Sequence, residues 1–141
     1  MISSFMLDTS TCIDILRGHR GAARARFKAE QGNIHLSTVA AAELLLGPLK
    51  AHGSRRHEEE LDAFLARVRV LDFDADAALH TADIRADLER RGIPIGPYDF
   101  QIAGHARSRG MTVVTGNLRE FSRVEGLRCE DWLSPVQGFS E

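Results

Sequence analysis

SFMLDTSTCIDILR (residues 4–17) reads as a short apolar strand, Ser4–Leu7, that stops at an acid, Asp8. Thr9, Ser10 and Thr11 follow with further candidate N-caps, and a helix is predicted over Cys12–Arg17, ended by Gly18. The same alternation recurs along the chain. An Ala/Arg-rich helix is predicted to about Gln31, a strand over Asn33–Leu36, and a helix capped by Ser37 and Thr38 that runs to Gly47. Arg55–Ala66 follows as an amphipathic helix, Val68–Phe73 as a strand, and a long helix from about Asp76 to Arg91. After the rigid break at Gly92, Pro94, Gly96 and Pro97 come a helix over Asp99–Ser108, a strand over Met111–Thr115 and a short last strand within Leu127–Trp132. Strands separated by helices predict an α/β fold with a mainly parallel sheet covered on both faces. Such sheets bind ligands beyond the carboxyl ends of their strands, which is where Asp8 falls.

With 141 residues the chain is read as one domain over 1–133, with a loose tail from Ser134 to Glu141. A composition 43% hydrophobic and 27% charged excludes wholesale disorder, and no apolar run is long enough to span a bilayer. The N-terminus has neither a basic n-region nor an apolar h-region, so a cytoplasmic protein is expected, with Cys12 and Cys129 as reduced thiols. The formal charge of -2 does not point to nucleic acid, but its distribution is uneven. Residues 17–28 carry five Lys/Arg and no acid, and a late stretch holds Arg107, Arg109, Arg119, Arg123 and Arg128. Local positive potential of this kind can meet phosphates, and it equally describes solvated helix faces.

Three acids are candidates for chemistry. Asp8 can be an N-cap or a ligand at the sheet edge. Glu43 lies in LSTVAAAELLLG (residues 36–47), with no Lys or Arg within one turn, on a helix apolar around most of its circumference. That pattern predicts a buried helix, where an ionised carboxylate is costly unless a cation or a distant Arg pairs with it. Asp99 opens a core-facing helix, where it can complement the dipole or point to the sheet edge. Asn117 and Glu120 follow the strand Met111–Thr115 and belong to the same edge if that strand is parallel to the first. Carboxylates converging there would repel, and a divalent cation relieves the repulsion. Hard oxygen donors without an organised His or Cys set point to Mg²⁺ or Mn²⁺, and so to phosphodiester hydrolysis.

In MLDTSTCIDILRG (6–18), LSTVAAAELLLG (36–47), IPIGPYDFQIAGHA (93–106) and VVTGNLREFSRVEGLRCEDW (113–132) the chain resembles the PIN-domain ribonucleases, and among them the VapC-type toxins of bacterial toxin–antitoxin pairs. The resemblance implies a three-layer α/β/α sandwich on a five-stranded sheet. It implies Mg²⁺ held by Asp8 and Asp99, with Glu43 ligating directly or through water, and Thr9 and Thr115 as hydroxyls lining the site. Many relatives carry a fourth acid where this chain has Asn117, so a second metal would rely on Glu120 or on the RNA phosphate. Ser10 stands where many relatives have Asn. The implied activity is metal-assisted endonucleolytic cleavage of RNA, with Arg17, Arg119 and Arg123 as candidate phosphate contacts. The implied partners are a second copy of the chain and a small VapB-like antitoxin that blocks the site and brings operator DNA.

Other readings fare worse. A haloacid-dehalogenase-type phosphatase needs an Asp two residues after the first, and Ser10 stands there. A response-regulator receiver needs a late Lys, and the only lysines are Lys28 and Lys50. A non-catalytic module would gain stability by losing Glu43. A housekeeping RNA-processing nuclease shares the same chemistry, and residues do not separate it from a toxin.

Overall fold

A computed structural model describes residues 3–18, 21–50 and 55–133. At its centre is β1 (Phe5–Leu7), three residues buried on both faces. Phe5 stands opposite Ile34 of β2 (Ile34–Ser37) on one side and Thr112 of β4 (Thr112–Val114) on the other. β3 (Arg69–Leu71) adds beyond β2, and β5 (Cys129–Glu130) beyond β4. The order is β3-β2-β1-β4-β5, and every pair is parallel. β1, β2 and β4 are buried along their whole length, as strands covered on both faces must be, although β2 carries the buried polar residues His35 and Ser37. The edge strands are shorter than predicted, and short edges expose few unpaired backbone groups.

The helices are α1 (Thr9–Arg17), α2 (Gly21–Ala29), α3 (Thr38–Lys50), α4 (Arg55–Leu65), α5 (Ala75–Arg90), α6 (Pro97–Ser108) and α7 (Leu118–Phe121). α1 ends where Gly18, at φ 68°, turns its N–H back to the carbonyls of Asp14 and Ile15. α3 passes the predicted stop at Gly47 and runs through Pro48 to Lys50. α6 begins two residues early, with Pro97 in its first turn where a missing N–H costs nothing. α5 and α6 meet almost backbone to backbone: a Cβ on Gly104 would lie 2.6 Å from the Thr81 nitrogen. Stacking of Phe27 on Phe64, centroids 5.3 Å apart, joins α2 to α4. Trp132 is buried edge-on against Phe5 and fixes the chain just after β5. Cys12 and Cys129 are free thiols. Among the described residues no helix is long and apolar enough to cross a membrane. The tail from Ser134 to Glu141 lies outside the described residues.

Candidate active site

The strand order makes the carboxyl ends of β1 and β4 the place where successive connections leave in opposite directions, so a crevice opens there. Asp8 and Thr115 are the next residues after those two strands. Asp8 is 5% exposed. Its N–H donates to the Val114 carbonyl at 3.0 Å, continuing the sheet by one residue. Its Oδ1 accepts the Thr11 N–H at 2.8 Å and so caps α1. The Thr115 hydroxyl bonds the same carboxylate and accepts the Asn117 N–H at 2.9 Å. Capping and ligation therefore do not exclude each other, because a carboxylate keeps further lone pairs after one hydrogen bond. Burial pushes the Asp8 carboxyl up from its ordinary range, against the Thr115 and Thr11 bonds that pull it down.

Glu43 is half-buried, and α3 is not the enclosed helix its sequence predicts. Leu45, Leu46 and Leu49 are 46%, 48% and 78% exposed, so its apolar circumference faces solvent along one side. What holds Glu43 is the Thr9 hydroxyl, which donates to its Oε1 at 2.7 Å and links the first turn of α1 to the middle of α3. Asp99 lies in the first turn of α6, folded back so that a Cβ on Gly96 would sit 3.3 Å from its Oδ2. Its carboxyl is pushed up to about 6, by burial first and then by the charges of Asp8, Glu120 and Glu43. Four carboxylates thus share one field. Asn117 is exposed and opens α7 without a side-chain cap, so Glu120, three residues on, supplies the fourth charge. Asp131, the first residue after β5, adds a further like charge felt at Asp8. It was missed in the sequence because its strand is only two residues long; reading the first polar residue past every strand would have found it.

Among the described residues no Lys or Arg pairs with Asp8, Glu43, Asp99 or Glu120. Nor do three His, Cys, Asp or Glu side chains close into a ready-made metal cage. Acids that share a field without closing on a point are what mutual repulsion favours. The donors are hard oxygens without an ion-paired Lys or Arg among the described residues, and that set fits a hard divalent cation.

The arginines sort into two groups. Arg17 and Arg119 are exposed and, among the described residues, make no ion pair. Arg123 is engaged: its Nη1 donates to the Pro94 carbonyl at 3.0 Å. Arg107 donates to the Glu125 carbonyl, and Arg128 to that of Gly110. Much of the late basic cluster therefore fastens backbone.

Beside the acids runs a groove of about 720 Å³ between α1, α3 and α4. Ile13, Leu16, Leu44 and Leu61 line it, with Glu43 and Arg17 in the same wall.

The family model of the PIN domain matches residues 5–127. A tRNA(fMet)-specific endonuclease VapC of Shigella flexneri is 49% identical over 128 residues, covering 91% of this chain and 97% of that protein. DNA-bound VapBC from Salmonella typhimurium superposes with a TM-score of 0.86 at 46% identity, over 92% of this chain and 98% of the other. VapBC2 from Rickettsia felis, bound to a DNA fragment from its promoter, superposes at 0.84 with 32% identity, over 91% and 98%.

Proposed function

The chain belongs to the PIN-domain family, and within it to the VapC ribonucleases; from that premise we propose that it is a Mg²⁺-dependent endoribonuclease, the toxin of a toxin–antitoxin pair, acting on tRNA(fMet). One observation carries the reading: Asp8, Glu43, Asp99 and Glu120 share a field at the sheet's switch point, and among the described residues no Lys or Arg forms an ion pair with any of them. The substrate is the one for which a relative 49% identical is named.

Asp8, Asp99 and Glu43 would hold Mg²⁺, or Mn²⁺ in its place, with Glu120 beside them. When bound, the cation supplies a Lewis acid for the phosphate and a lowered pKa for water. The rest is the work of the chain's own residues. Thr11 and Thr115 hold the Asp8 carboxylate, and Thr9 holds Glu43 Oε1. Asp99, whose carboxyl is pushed up to about 6 by burial and by its acidic neighbours, is still ionised at neutral pH and so can serve as a ligand. Arg17 and Arg119, exposed and without an ion pair among the described residues, offer guanidiniums for RNA phosphates.

A VapB-like antitoxin is the regulatory partner, and operator DNA is met through it. The groove beside Glu43 suits a segment with apolar side chains and polar groups at its margins, since Ile13, Leu16, Leu44 and Leu61 line it beside Arg17, Glu43, Arg56 and Glu60. A second copy of the chain covers Leu45, Leu46 and Leu49, an exposed apolar stripe that an isologous contact would bury against itself. The substrate places the reaction in the cytoplasm, where Cys12 and Cys129 remain reduced.

The test uses purified chain free of antitoxin. With Mg²⁺ or Mn²⁺ it cleaves tRNA(fMet); EDTA or Asp8→Ala lowers the rate on the order of a thousandfold. Cleavage at the wild-type rate by folded Asp8→Ala would reject the site. Induced expression of wild type arrests growth and Asp99→Ala does not; equal growth would reject the toxin role.

A further inference from the structure

α7, which carries Glu120, is a single turn, too short to hold itself in place. The loop before Asp99 is irregular from Ile93 to Gly96. Yet Asp99 and Glu120 repel each other across these two segments. Something must hold the segments together, and two arginines span the gap. Arg123 Nη1 donates to the Pro94 carbonyl at 3.0 Å, and the Arg123 N–H donates to the Glu120 carbonyl at 3.1 Å. One residue thus touches the main chain on both sides. Arg91 completes the link from the end of α5: its Nη2 donates to the Arg123 carbonyl at 2.8 Å. Asp87 aims that guanidinium, taking Nε at 3.2 Å and Nη2 at 2.7 Å.

We propose that Arg91 and Arg123 are positioning residues for the acidic site, a clamp that sets the spacing of Asp99 and Glu120. This inference rests on the proposed nuclease function for its purpose, though not for its geometry. Pro94 stands two residues before Gly96, against which the Asp99 carboxylate is folded. The Gly96 carbonyl in turn accepts the Phe100 N–H at 3.0 Å. A shift at Pro94 therefore carries Asp99 with it, and a shift at Arg123 carries Glu120. The clamp bonds are solvent-exposed, so their effect on global stability is modest while their effect on placement is direct. The late basic cluster acquires a meaning that a charge count misses: guanidiniums are used here for several donors of fixed geometry.

The clamp is tested with Arg123→Met, Arg91→Met, the double variant and Arg123→Lys, each as full chain. Amide exchange in EDTA is the first readout, at the Phe100 and Arg123 amides. Both Met variants speed it about tenfold at these two sites with core amides unchanged, and the double variant is no worse than the stronger single one. Calorimetric titration with Mn²⁺ is the second: Arg123→Met binds about tenfold more weakly, and Arg123→Lys, which can still reach one carbonyl, recovers most of the loss. Unchanged exchange at Phe100 and Arg123 would overturn the clamp. So would Mn²⁺ affinities that fall only in step with the unfolding midpoint in EDTA. Wild type that binds no Mn²⁺ would instead reject the metal reading of the site, and the exchange data would still decide whether the clamp exists.

Discussion

The two sides of the acidic crevice are held in different ways. On the α6–α7 side, guanidiniums of Arg91, Arg107 and Arg123 donate to main-chain carbonyls and tie the turns together. On the α3 side, Glu43 is held by the Thr9 hydroxyl, and its helix turns three leucines to solvent beside an open groove. One side is completed by the chain itself. The other has surface left over, which suits a part of the site that partners act on.

The largest effect that should expose this asymmetry is on association. Leu45 and Leu49 are one turn apart on α3 and so share a face. Leu45→Glu with Leu49→Glu places carboxylates in the stripe assigned to a second copy, and self-association weakens about a hundredfold because buried like charges are strongly unfavourable. Sedimentation equilibrium over a range of concentrations checks it. A dimer as tight as wild type would move the contact elsewhere, and the α3 side would lose half its claim to be the partner-facing one.

Much of this was legible in the residues, and the failures have physical causes. The strand–Asp–helix junction at Leu7–Thr9 is local chemistry, so Asp8 and its edge position could be read directly, as could the parallel α/β sheet and the family resemblance. Glu43 was singled out for a reason that only half holds. Apolar periodicity shows that a helix wants cover, not whether its own chain supplies it, and at Leu45, Leu46 and Leu49 it does not. α7 has four residues, too few to carry a period. Counting charges grouped Arg119 with Arg123, although one is exposed and, among the described residues, without an ion pair while the other donates to Pro94. The approach of Asp99 to Glu120 joins segments about twenty residues apart, and spacing along the chain does not encode it.

A smaller effect compares the supports directly. Thr9→Val keeps the shape of the side chain and removes the hydroxyl bonded to Glu43 Oε1. Cleavage falls about tenfold, roughly the 1.4 kcal/mol of one well-placed hydrogen bond to a charged group. Thr9→Ser restores it. Gly96→Ala tests the opposite side, since its Cβ would press on the Asp99 carboxylate from 3.3 Å. The clamp leaves that loop little room to give, so the same assay should show a loss of similar size. If Thr9→Val is silent while Gly96→Ala is not, Glu43 has a second support and the contrast between the sides narrows.

The smallest effect is thermodynamic and concerns Asp99. Its carboxyl titrates near 6 in the folded chain, against an ordinary value of 3.8. The folded state therefore holds this proton more tightly than the unfolded one. The penalty is absent below about pH 4, grows as pH rises, and is fully present above about pH 6. Because the group is only half-buried, solvent screening reduces the cost to about 1 kcal/mol. Asp99→Asn should accordingly raise stability in EDTA by about that amount at pH 7, and the gain should vanish by pH 4 in urea titrations. Mg²⁺ acts on the same balance with opposite preference, because it binds the ionised carboxylates. Its stabilisation of wild type should shrink as pH falls through 6 and be largely lost in Asp99→Asn. A wild type and an Asp99→Asn whose stabilities run parallel from pH 4 to 7 would show that Asp99 does not share the field of Asp8, Glu120 and Glu43, and the crevice would lose the α6 half of its acids.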